Sequence, residues 1–461
     1  MANKTLLAFC LIPTTFILAK TLSAQSVDLY PNAITDRMIH QETPMAVPVK
    51  NVVFSDPDFG SSMVRVTDST TNFKVPGTFL RTGGSGENNE WSVDTGKFYV
   101  TGEGGRDFAF AFDPTTMAVS SLPNAGQGQG LLLPLRPGAT FSFVDRDLIY
   151  GTSDPDTLTI TSYRFSTNAS TPIINTRNCG VQPPLGTSVV SDDDVSLSLD
   201  DDRVSISEGG SESGDHMFVV VYDKALGCRW YNTQTGEIGG AWGPKGTISV
   251  PDRFSLHNAR MAKSGKFVYM TRGGGGIGHG WVVWEIDTMN IGVCSRGCDA
   301  HHVLGYSHII GPSGMIHPLN LWLRPLDHLD DSTPLISGLE PAKGFWFDSH
   351  FSWNNVDPED SAPVCFSTYR PTNPDTPGTA PLVTGPWENE IDCAETDGKA
   401  SKVWRFAHTY STARNGFWST PRGNVSQDGR FFMFTSDWED QLGKTPNGGK
   451  YRTDVFIVEL K

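Results

Sequence analysis

The sequence predicts an all-β fold built from one repeated sheet unit, and three observations carry this prediction. A pattern recurs along the chain: a strand, a turn with Asp-Gly or Ser-Gly, an apolar strand and a closing strand rich in aromatic residues. The 461 residues include 48 Gly and 30 Pro, scattered between short runs of Val, Ile, Phe, Trp and Tyr. No long apolar stretch has the 3.6-residue period of a helix. This composition is typical of all-β chains with many turns.

The last copy of the repeat, from Ser419 to Lys461, is the clearest. Its Asp428-Gly429 turn precedes an apolar strand that begins at Phe431, and a second strand from Asp454 ends the unit. The first apolar residue after each turn serves as an anchor, and the anchors are Phe98, Leu148, Val204, Phe267, Met315, Val364 and Phe431. Neighbouring anchors lie roughly 50 to 65 residues apart, which is the range of large propeller blades.

Seven copies predict a seven-bladed β-propeller. Four short antiparallel strands cannot bury an apolar face alone, so such units stack into a closed ring. The segment from Asn51 to Thr67 precedes the first full copy, and we expect it to supply the missing outer strand of the last blade. The fifth and sixth copies match the pattern poorly, so six or eight blades stay open as alternatives. We expect residues 51–461 to form one domain.

The first residues have the pattern of a secretory signal. Lys4 precedes an apolar run from Leu6 to Leu18, and small residues up to Ala24 precede Gln25. This pattern predicts a signal peptide over residues 1–24, an N-terminal extension over 25–50 and a secreted or periplasmic protein. Lys20 interrupts the end of the apolar region, so a retained anchor is the alternative. Beyond the signal peptide we expect no membrane contact.

The net charge restricts the partners. It is −15 for the whole chain and becomes −17 when the predicted signal peptide is removed, because that peptide carries Lys4 and Lys20 and no acidic residue. An exported acidic protein is a poor candidate for binding nucleic acid or anionic lipid. It would repel a polyanionic substrate except at a basic patch or a bound cation.

Six cysteines remain after removal of the signal peptide, an even number in a chain bound for an oxidising compartment. Six cysteines permit 15 pairings, and the nearest-neighbour scheme is Cys179–Cys228, Cys294–Cys298 and Cys365–Cys393. A zinc site formed by Cys294, Cys298, His301 and His302 is the alternative. Structural zinc sites usually have a shorter Cys spacing and separated His residues.

Three histidines occupy comparable places in consecutive copies. His257, His308 and His350 precede the central apolar strand of their copies by about seven to fourteen residues. We expect these positions on the innermost strands, which surround the channel of a propeller. Three imidazoles there could hold a divalent cation, or one of them could act as a general base. The alternative is that they hydrogen-bond water or backbone, as polar channel residues do.

Two arginines fall near the same blades. Arg260 follows His257, and Arg422 begins the last copy. A guanidinium group there could bind the carboxylate of an acidic sugar through two hydrogen bonds. The alternative for each arginine is an ion pair between blades.

The run from Phe417 to Ser436, with Ser426, Asp428 and Gly429 at its turn, resembles the Ser-x-Asp-Gly repeats of TolB-type and WD40-like propellers. This resemblance is specific for the fold and says almost nothing about function. An exported propeller with histidines on neighbouring blades also resembles the oligogalacturonate lyase group of polysaccharide lyases. That resemblance implies a His-bound divalent metal (Mn, Ca or Zn) and a His or Arg base for β-elimination. The Gln-x-x-His-x-His ligand run of that group is absent here, where only His350 is present.

Two classes of function therefore stay open. The first is a lyase acting on an acidic polysaccharide or oligosaccharide. Its predicted catalytic residues are His257, Arg260 and Arg422, and its predicted metal ligands are His257, His308 and His350. The second is a noncatalytic propeller that binds a glycan or a protein through its rim loops.

The cysteine pattern predicts that the mature protein contains no free thiol. A disulfide that closes a loop of about fifty residues adds roughly 4 kcal/mol in the chain-entropy model. Thiol titration of the denatured, unreduced protein should give a value close to zero. Two or more titratable thiols together with bound zinc would favour the zinc site instead.

Overall fold

The computed structural model describes residues 28–461 apart from a set of short segments. These segments are 84–87, 127–128, 154–157, 182–188, 192–194, 211–215, 249–252, 273–279, 296–297, 299–300, 313–320, 337–347, 354–355, 370–382, 384, 398–401, 414–418 and 447–448. The predicted signal peptide lies outside the described residues. No helix in the described part of the chain is long and apolar enough to cross a membrane.

The chain forms a seven-bladed β-propeller, as predicted. In blades 1 to 6 the strands follow one another outward from the channel, and each pairs antiparallel with the one before it. From innermost to outermost, the strands of blade 1 are Leu80–Arg81, Lys97–Gly102, Arg106–Asp113 and Ala118–Ser121. Those of blade 2 are Thr140–Phe141, Leu148–Thr152, Thr159–Arg164 and Ala169–Asn175. Those of blade 3 are Ser196–Leu197, Arg203–Gly210, His216–Asp223, Gly227–Asn232, Glu237–Gly240 and Gly246–Thr247.

In the same order, the strands of blade 4 are Leu256–Met261, Phe267–Arg272, Val282–Glu285 and Ile291–Val293. Those of blade 5 are Val303–Leu304, His308–Pro312, Leu321–Pro325 and Thr333–Pro334. Those of blade 6 are Asp348–Ser352, Val364–Tyr369, Glu390–Ala394 and Val403–His408. Two additional strands are Leu131–Leu132, which pairs with the third strand of blade 1, and Val189–Ser191, which pairs with the second strand of blade 3. A 3-10 helix, Thr176–Cys179, follows blade 2.

Blade 7 joins the two ends of the described chain. Its strands, from the channel outward, are Gly423–Val425, Phe431–Ser436, Asp454–Glu459, Ser62–Arg65 and Val53–Ser55. The prediction that the N-terminal segment closes the ring is therefore confirmed. The segment supplies two outer strands rather than one, so this blade has five strands.

The central strands are buried on both faces because each blade packs between two neighbours. In blade 7, Phe431 and Met433 pack into the core shared with blade 1, where Trp91 and Phe98 lie. The alternate residues Phe432 and Phe434 pack into the core shared with blade 6. Since successive side chains of a strand point to opposite faces, such a strand must be apolar throughout, and all residues from Phe431 to Ser436 are buried.

The N-terminal extension lies along blades 6 and 7. The Tyr30 hydroxyl donates to the carbonyl of Gly429 at 2.9 Å, and its ring packs edge-on against Trp404. Further along, the Trp438 indole donates to the carbonyl of Met45 at 3.1 Å. These contacts fasten the segment to the two blades between which the ring closes.

Three disulfides confirm the nearest-neighbour pairing: Cys179–Cys228, Cys294–Cys298 and Cys365–Cys393. The zinc alternative is excluded in this arrangement, because Cys294 and Cys298 are bonded to each other and offer no thiolate.

A buried ion pair holds the closing strand in place. Arg65 donates from Nε to Asp454 Oδ2 at 3.0 Å and is 9% exposed. Removal of Arg65 takes one of two arginines from the buried Asp454, since Arg452 also donates to it, so we expect Arg65→Ala to lower the free energy of unfolding by about 2 kcal/mol. Urea unfolding measures this change. The matched control is Arg146→Ala, which breaks an exposed pair with Asp94 and should cause no measurable change. Equal effects of the two variants would contradict the role of Arg65.

Candidate functional site: the upper end of the channel

The strand order defines the two ends of the channel. We call the end at which the innermost strands begin the upper end. Because neighbouring strands are antiparallel, each second strand also ends there, whereas the turn from the first strand to the second lies at the lower end. Residues just before an innermost strand and residues at the end of a second strand therefore meet at the upper end.

His350 is the centre of a polar group at this end. It is the middle residue of the innermost strand of blade 6 and is fully buried. Its Nε2 lies 3.1 Å from the Thr420 hydroxyl and 3.5 Å from the Tyr369 hydroxyl. Its ring stacks on His301, with 4.3 Å between the ring centroids. Burial, followed by the neighbouring His301 and Arg422, holds the pKa of His350 well below its usual value, so the ring is neutral at pH 7.

Arg422 lies beside His350 and immediately precedes the innermost strand of blade 7. It is buried, and its backbone carbonyl accepts a hydrogen bond from the Thr82 hydroxyl at 3.0 Å. Burial and the like charge of Arg81 lower the pKa of Arg422 to about 9, although Glu90 opposes this change. Arg422 therefore keeps its proton at neutral pH, but its charge is poorly solvated.

Blade 1 contributes a basic residue, Arg81, and an acidic residue, Glu90. Burial lowers the pKa of the half-buried Arg81 to about 10, against the attraction of Asp107 and Glu90. Burial and the charge of Asp107 raise the pKa of Glu90 well above its usual value. We call the set His301, His350, Tyr369, Thr420, Arg422, Arg81 and Glu90 the channel cluster. Its residues come from blades 1, 5, 6 and 7, and it combines a neutral imidazole with two arginines, groups that suit the binding of an anion.

The structure places His257 on the innermost strand of blade 4, as predicted, and Arg260 lies on the same strand. His257 is exposed near the upper end, at a β-bulge between the pairs Leu256–Arg272 and Asn258–Thr271. A bulge re-aims the side chains beside it. Arg260 is buried and donates from Nη1 to the carbonyl of Ala259 at 3.1 Å. Both residues lie two blades away from His350.

The predicted strand position of His308 is wrong. His308 is the first residue of the second strand of blade 5, whose innermost strand is Val303–Leu304, so it lies at the lower end. Its Nδ1 is 2.9 Å from Asp360 Oδ2, and Asp360 also accepts from the backbone nitrogens of Ser307 and Tyr306. The error arose at the anchor Met315, which lies outside the described residues and placed the second strand of this blade too late in the sequence.

The three predicted metal-ligating histidines therefore do not converge. His308 lies at the opposite end of the channel from His350, and His257 lies in blade 4. The stacked partner of His350, His301, cannot substitute for them. An imidazole lone pair lies in the ring plane, so two stacked rings direct their lone pairs side by side rather than toward one ion. In this arrangement the residues do not fit a His-bound metal in the channel.

Sequence reasoning missed several members of the channel cluster. The Cys-His pattern suggests His301 only as a zinc ligand, although it precedes the innermost strand of blade 5 as Arg422 precedes that of blade 7. The same position relative to the repeat could have identified it. Arg81 and Glu90 gave no such signal, because Arg81 ends the short strand Leu80–Arg81 and Glu90 lies outside it, so neither has the position relative to the repeat that Arg422 has.

A second group has ligand atoms that do converge. One atom each of Asp56, Asp58 and His408 lies within 4.8 Å of the others. Asp56 and Asp58 lie in the turn between the two N-terminal strands of blade 7, and His408 ends the outermost strand of blade 6. This group could hold a metal ion, and it is separate from the channel cluster.

Comparisons with known proteins agree with the fold. No protein-family model matches the chain, and no curated protein is detectably similar to it in sequence. The fold is similar to the crystal structure of oligogalacturonate lyase from Vibrio parahaemolyticus, with a TM-score of 0.50, 11% identity and coverage of 89% of this chain and 96% of that chain. Matches with lower scores include TolB from Acinetobacter baumannii (TM-score 0.34, 12% identity, 60% of this chain and 57% of that chain) and U3-55K (TM-score 0.40, 11% identity, 83% and 98%). The chain is thus a β-propeller whose fold is similar to that of this oligogalacturonate lyase.

The lowered pKa of His350 predicts a pH dependence of stability. The unfolded chain binds a proton at this residue near pH 6.5 and the folded chain does not. The contribution of His350 is therefore complete above about pH 6.5 and is lost as the pH falls below it. Between pH 7.5 and 5.5 the loss amounts to about 1.4 kcal/mol.

Urea unfolding at the two pH values tests this expectation. His350→Gln should lose less free energy of unfolding on acidification than the wild type, by about that amount. His328→Gln, at an exposed histidine, should retain the wild-type dependence. An equal acid loss in His350→Gln and wild type would show that His350 titrates normally in the folded protein.

Proposed function

We propose that this protein is an exported propeller that binds an acidic polysaccharide or oligosaccharide at the upper end of its channel and cleaves it by β-elimination. The single observation that carries the proposal is the channel cluster. There a neutral His350 and the hydroxyl of Tyr369 from blade 6 come together with a cationic Arg422 from blade 7. The fold shared with an oligogalacturonate lyase supports the same substrate class.

The cluster contains groups for each step of an elimination. Arg422 and Arg81 pair with the uronate carboxylate and stabilise the negative charge that develops beside it. His350 accepts the C5 proton, which requires the neutral ring that its low pKa provides. The electron pair of the C5–H bond forms the C4–C5 double bond as the C4–O bond breaks. The departing oxygen takes a proton from the Tyr369 hydroxyl or from water.

The roles predicted for His257 and Arg260 stay predictions. His257 is exposed at the same end of the ring, where an extended saccharide bound at the cluster would reach blade 4. The divalent metal implied by the lyase resemblance (Mn, Ca or Zn) takes no part in this scheme, since the channel histidines do not form a common ligand set.

An exported location is part of the proposal. Three disulfides support a protein that folds in an oxidising compartment, either secreted or periplasmic. The predicted signal peptide at residues 1–24 supports the same location. We expect neither nucleic acid nor a membrane as a partner.

A noncatalytic glycan- or protein-binding propeller is the second candidate. The observation that favours it is the complete burial of His350 and the near-complete burial of Arg422. In that case Arg81, which is half-buried, and His257, which is exposed, are the described residues of this end that would meet a ligand, and the buried groups would serve the fold alone.

Assays with oligogalacturonate and other acidic glycans separate the two candidates. The wild type should form unsaturated products, measured by their ultraviolet absorbance. His350→Ala and Arg422→Gln should each lower kcat by about 100-fold or more, with circular dichroism confirming that both variants fold. His328→Ala is the matched control and should keep wild-type activity.

His308→Ala distinguishes the channel cluster from the predicted set of three histidines. The channel cluster predicts that this variant stays active, because His308 lies at the lower end. Loss of activity in folded His308→Ala would instead favour the set predicted from the sequence: His257, His308 and His350. Glycan binding without product would favour the binding module, and neither binding nor product would overturn both functions.

A further inference from the structure

A buried acidic pocket lies between the N-terminal extension and blades 6 and 7. It is formed by Glu42 of the extension, Asp56 and Asp58 of the turn before Ser62–Arg65, His408 at the end of blade 6, and Glu439 in the connection after the second strand of blade 7. Four separate segments of the chain thus meet at one point. We call this set the acidic pocket.

Asp56 and Asp58 are held rigidly in the pocket. Asp56 Oδ1 accepts from the backbone nitrogens of Asp58 and Phe59 at 2.9 and 2.8 Å. Its Oδ2 accepts from the backbone nitrogen of His408 at 3.0 Å and from the Tyr410 hydroxyl at 3.2 Å. Asp58 accepts two hydrogen bonds from Thr43, at 2.9 Å from its nitrogen and 2.7 Å from its hydroxyl. A carboxylate accepts about four hydrogen bonds, so Asp58 keeps acceptor capacity for a cation.

Glu42 is the observation that points to a ligand. It is 4% exposed, and neither of its carboxylate oxygens accepts a hydrogen bond from an N–H or hydroxyl donor; its contact in the pocket is the carboxyl group of Glu439. Its neighbours in the pocket are acids. Burial, and after it the neighbouring Glu439, Asp56 and Asp58, raise the pKa of Glu42 well above its usual value. One oxygen of Glu439, Oε1, is also buried without a hydrogen bond. A buried carboxyl group without a donor is destabilising, and a cation would remove that cost.

The positive charge near the pocket is insufficient for four carboxyl groups. His408 Nδ1 lies 3.2 Å from Asp58 Oδ2, and its Nε2 lies 3.2 Å from the carbonyl of His40. Arg405, the nearby arginine, is already committed to Glu390 through Nε and Nη2 and to Asp36 through Nη1. In the described part of the chain, the His408 imidazole is therefore the cationic group that adjoins these four carboxyl groups, through its contact with Asp58.

We propose that the acidic pocket binds one divalent cation where the ligand atoms of Asp56, Asp58 and His408 converge, with the buried carboxyl groups of Glu42 and Glu439 beside them. A mixed set of carboxylate oxygens and an imidazole favours manganese or zinc, whereas calcium would be held by the carboxylate oxygens alone. The ion ties the extension to the strands that close the ring. This site goes beyond the proposed function, because it lies outside the channel cluster and acts on stability.

Cation binding to the full mature protein tests the proposal. After treatment with a chelator, the protein is titrated with Ca²⁺, Mg²⁺, Mn²⁺ and Zn²⁺ by calorimetry, and its melting temperature is measured with and without each ion. We expect one bound ion per chain and a melting temperature higher by roughly 3 °C or more at saturating cation. The ion that binds tightest identifies the ligand set.

Glu42→Gln preserves the shape of the side chain and removes its charge. We expect the cation affinity to fall at least about 10-fold and the thermal shift to disappear, while the metal-free variant melts at or above the wild-type temperature because acid repulsion is relieved. Asp58→Asn provides a second variant with the same expected loss. Asp201→Asn, at a buried carboxyl group of blade 3, is the matched control and should keep the full shift.

Two results would overturn the proposal: absence of any bound ion, or a thermal shift that is as large in Glu42→Gln and Asp58→Asn as in the wild type. An ion that is retained in both of these variants but lost in His350→Ala would belong to the channel. Because binding and melting are measured without a saccharide, failure of this proposal leaves the test of lyase activity intact.

Discussion

The pairing of Ser62–Arg65 with Asp454–Glu459 is the interaction on which the rest of the structure depends. Met63 pairs with Val458 and Arg65 with Phe456, so the first described strands complete the last blade. Met63 belongs to the core shared with blade 6, and Val64 belongs to the core shared with blade 1. One short strand thus contributes to the cores on both sides of the closure. Without it, the apolar faces of blades 7 and 1 would be exposed to water.

Buried charge is concentrated around this closure. Arg65 and Arg452 both bond Asp454, and Arg405 bonds Glu390 with both groups fully buried. Such pairs are stable only where partners compensate the loss of water. The two candidate sites lie where that compensation is incomplete: at His350 and Arg422 in the channel, and at Glu42 in the acidic pocket. Groups with strongly perturbed pKa values mark functional sites more often than other positions.

The two sites have different relations to the ring closure. In the channel cluster, side chains come from blades on both sides of the closure, so any change in how the ring closes changes the relative positions of Arg422 and Arg81. The acidic pocket lies outside the channel and joins the extension to the same closure. A cation there would stabilise the frame that holds the channel cluster.

Predictability from sequence depended on local signals. Where a turn such as Asp428-Gly429 was followed by an apolar strand, the blade and its strands were predicted correctly. Blade 5 has no such turn before its second strand, and there the anchor Met315 misplaced His308. The cysteine pairing was predictable because Cys365 and Cys393 face each other on adjacent strands of one blade, and a short separation in sequence already favours such a pair.

The sequence by itself determined the all-β class. It favoured seven repeats over six or eight, closure by the N-terminal segment, and nearest-neighbour disulfides over a zinc site, because each depends on a local turn, a repeated period or neighbours along the chain. The tertiary structure alone decided which side chains share a site. His301 and His350 stack across two blades, and Arg81 meets Arg422 from opposite ends of the chain. Strand register and bulges determine which side chains come together, because a shift of one residue turns a side chain to the other face.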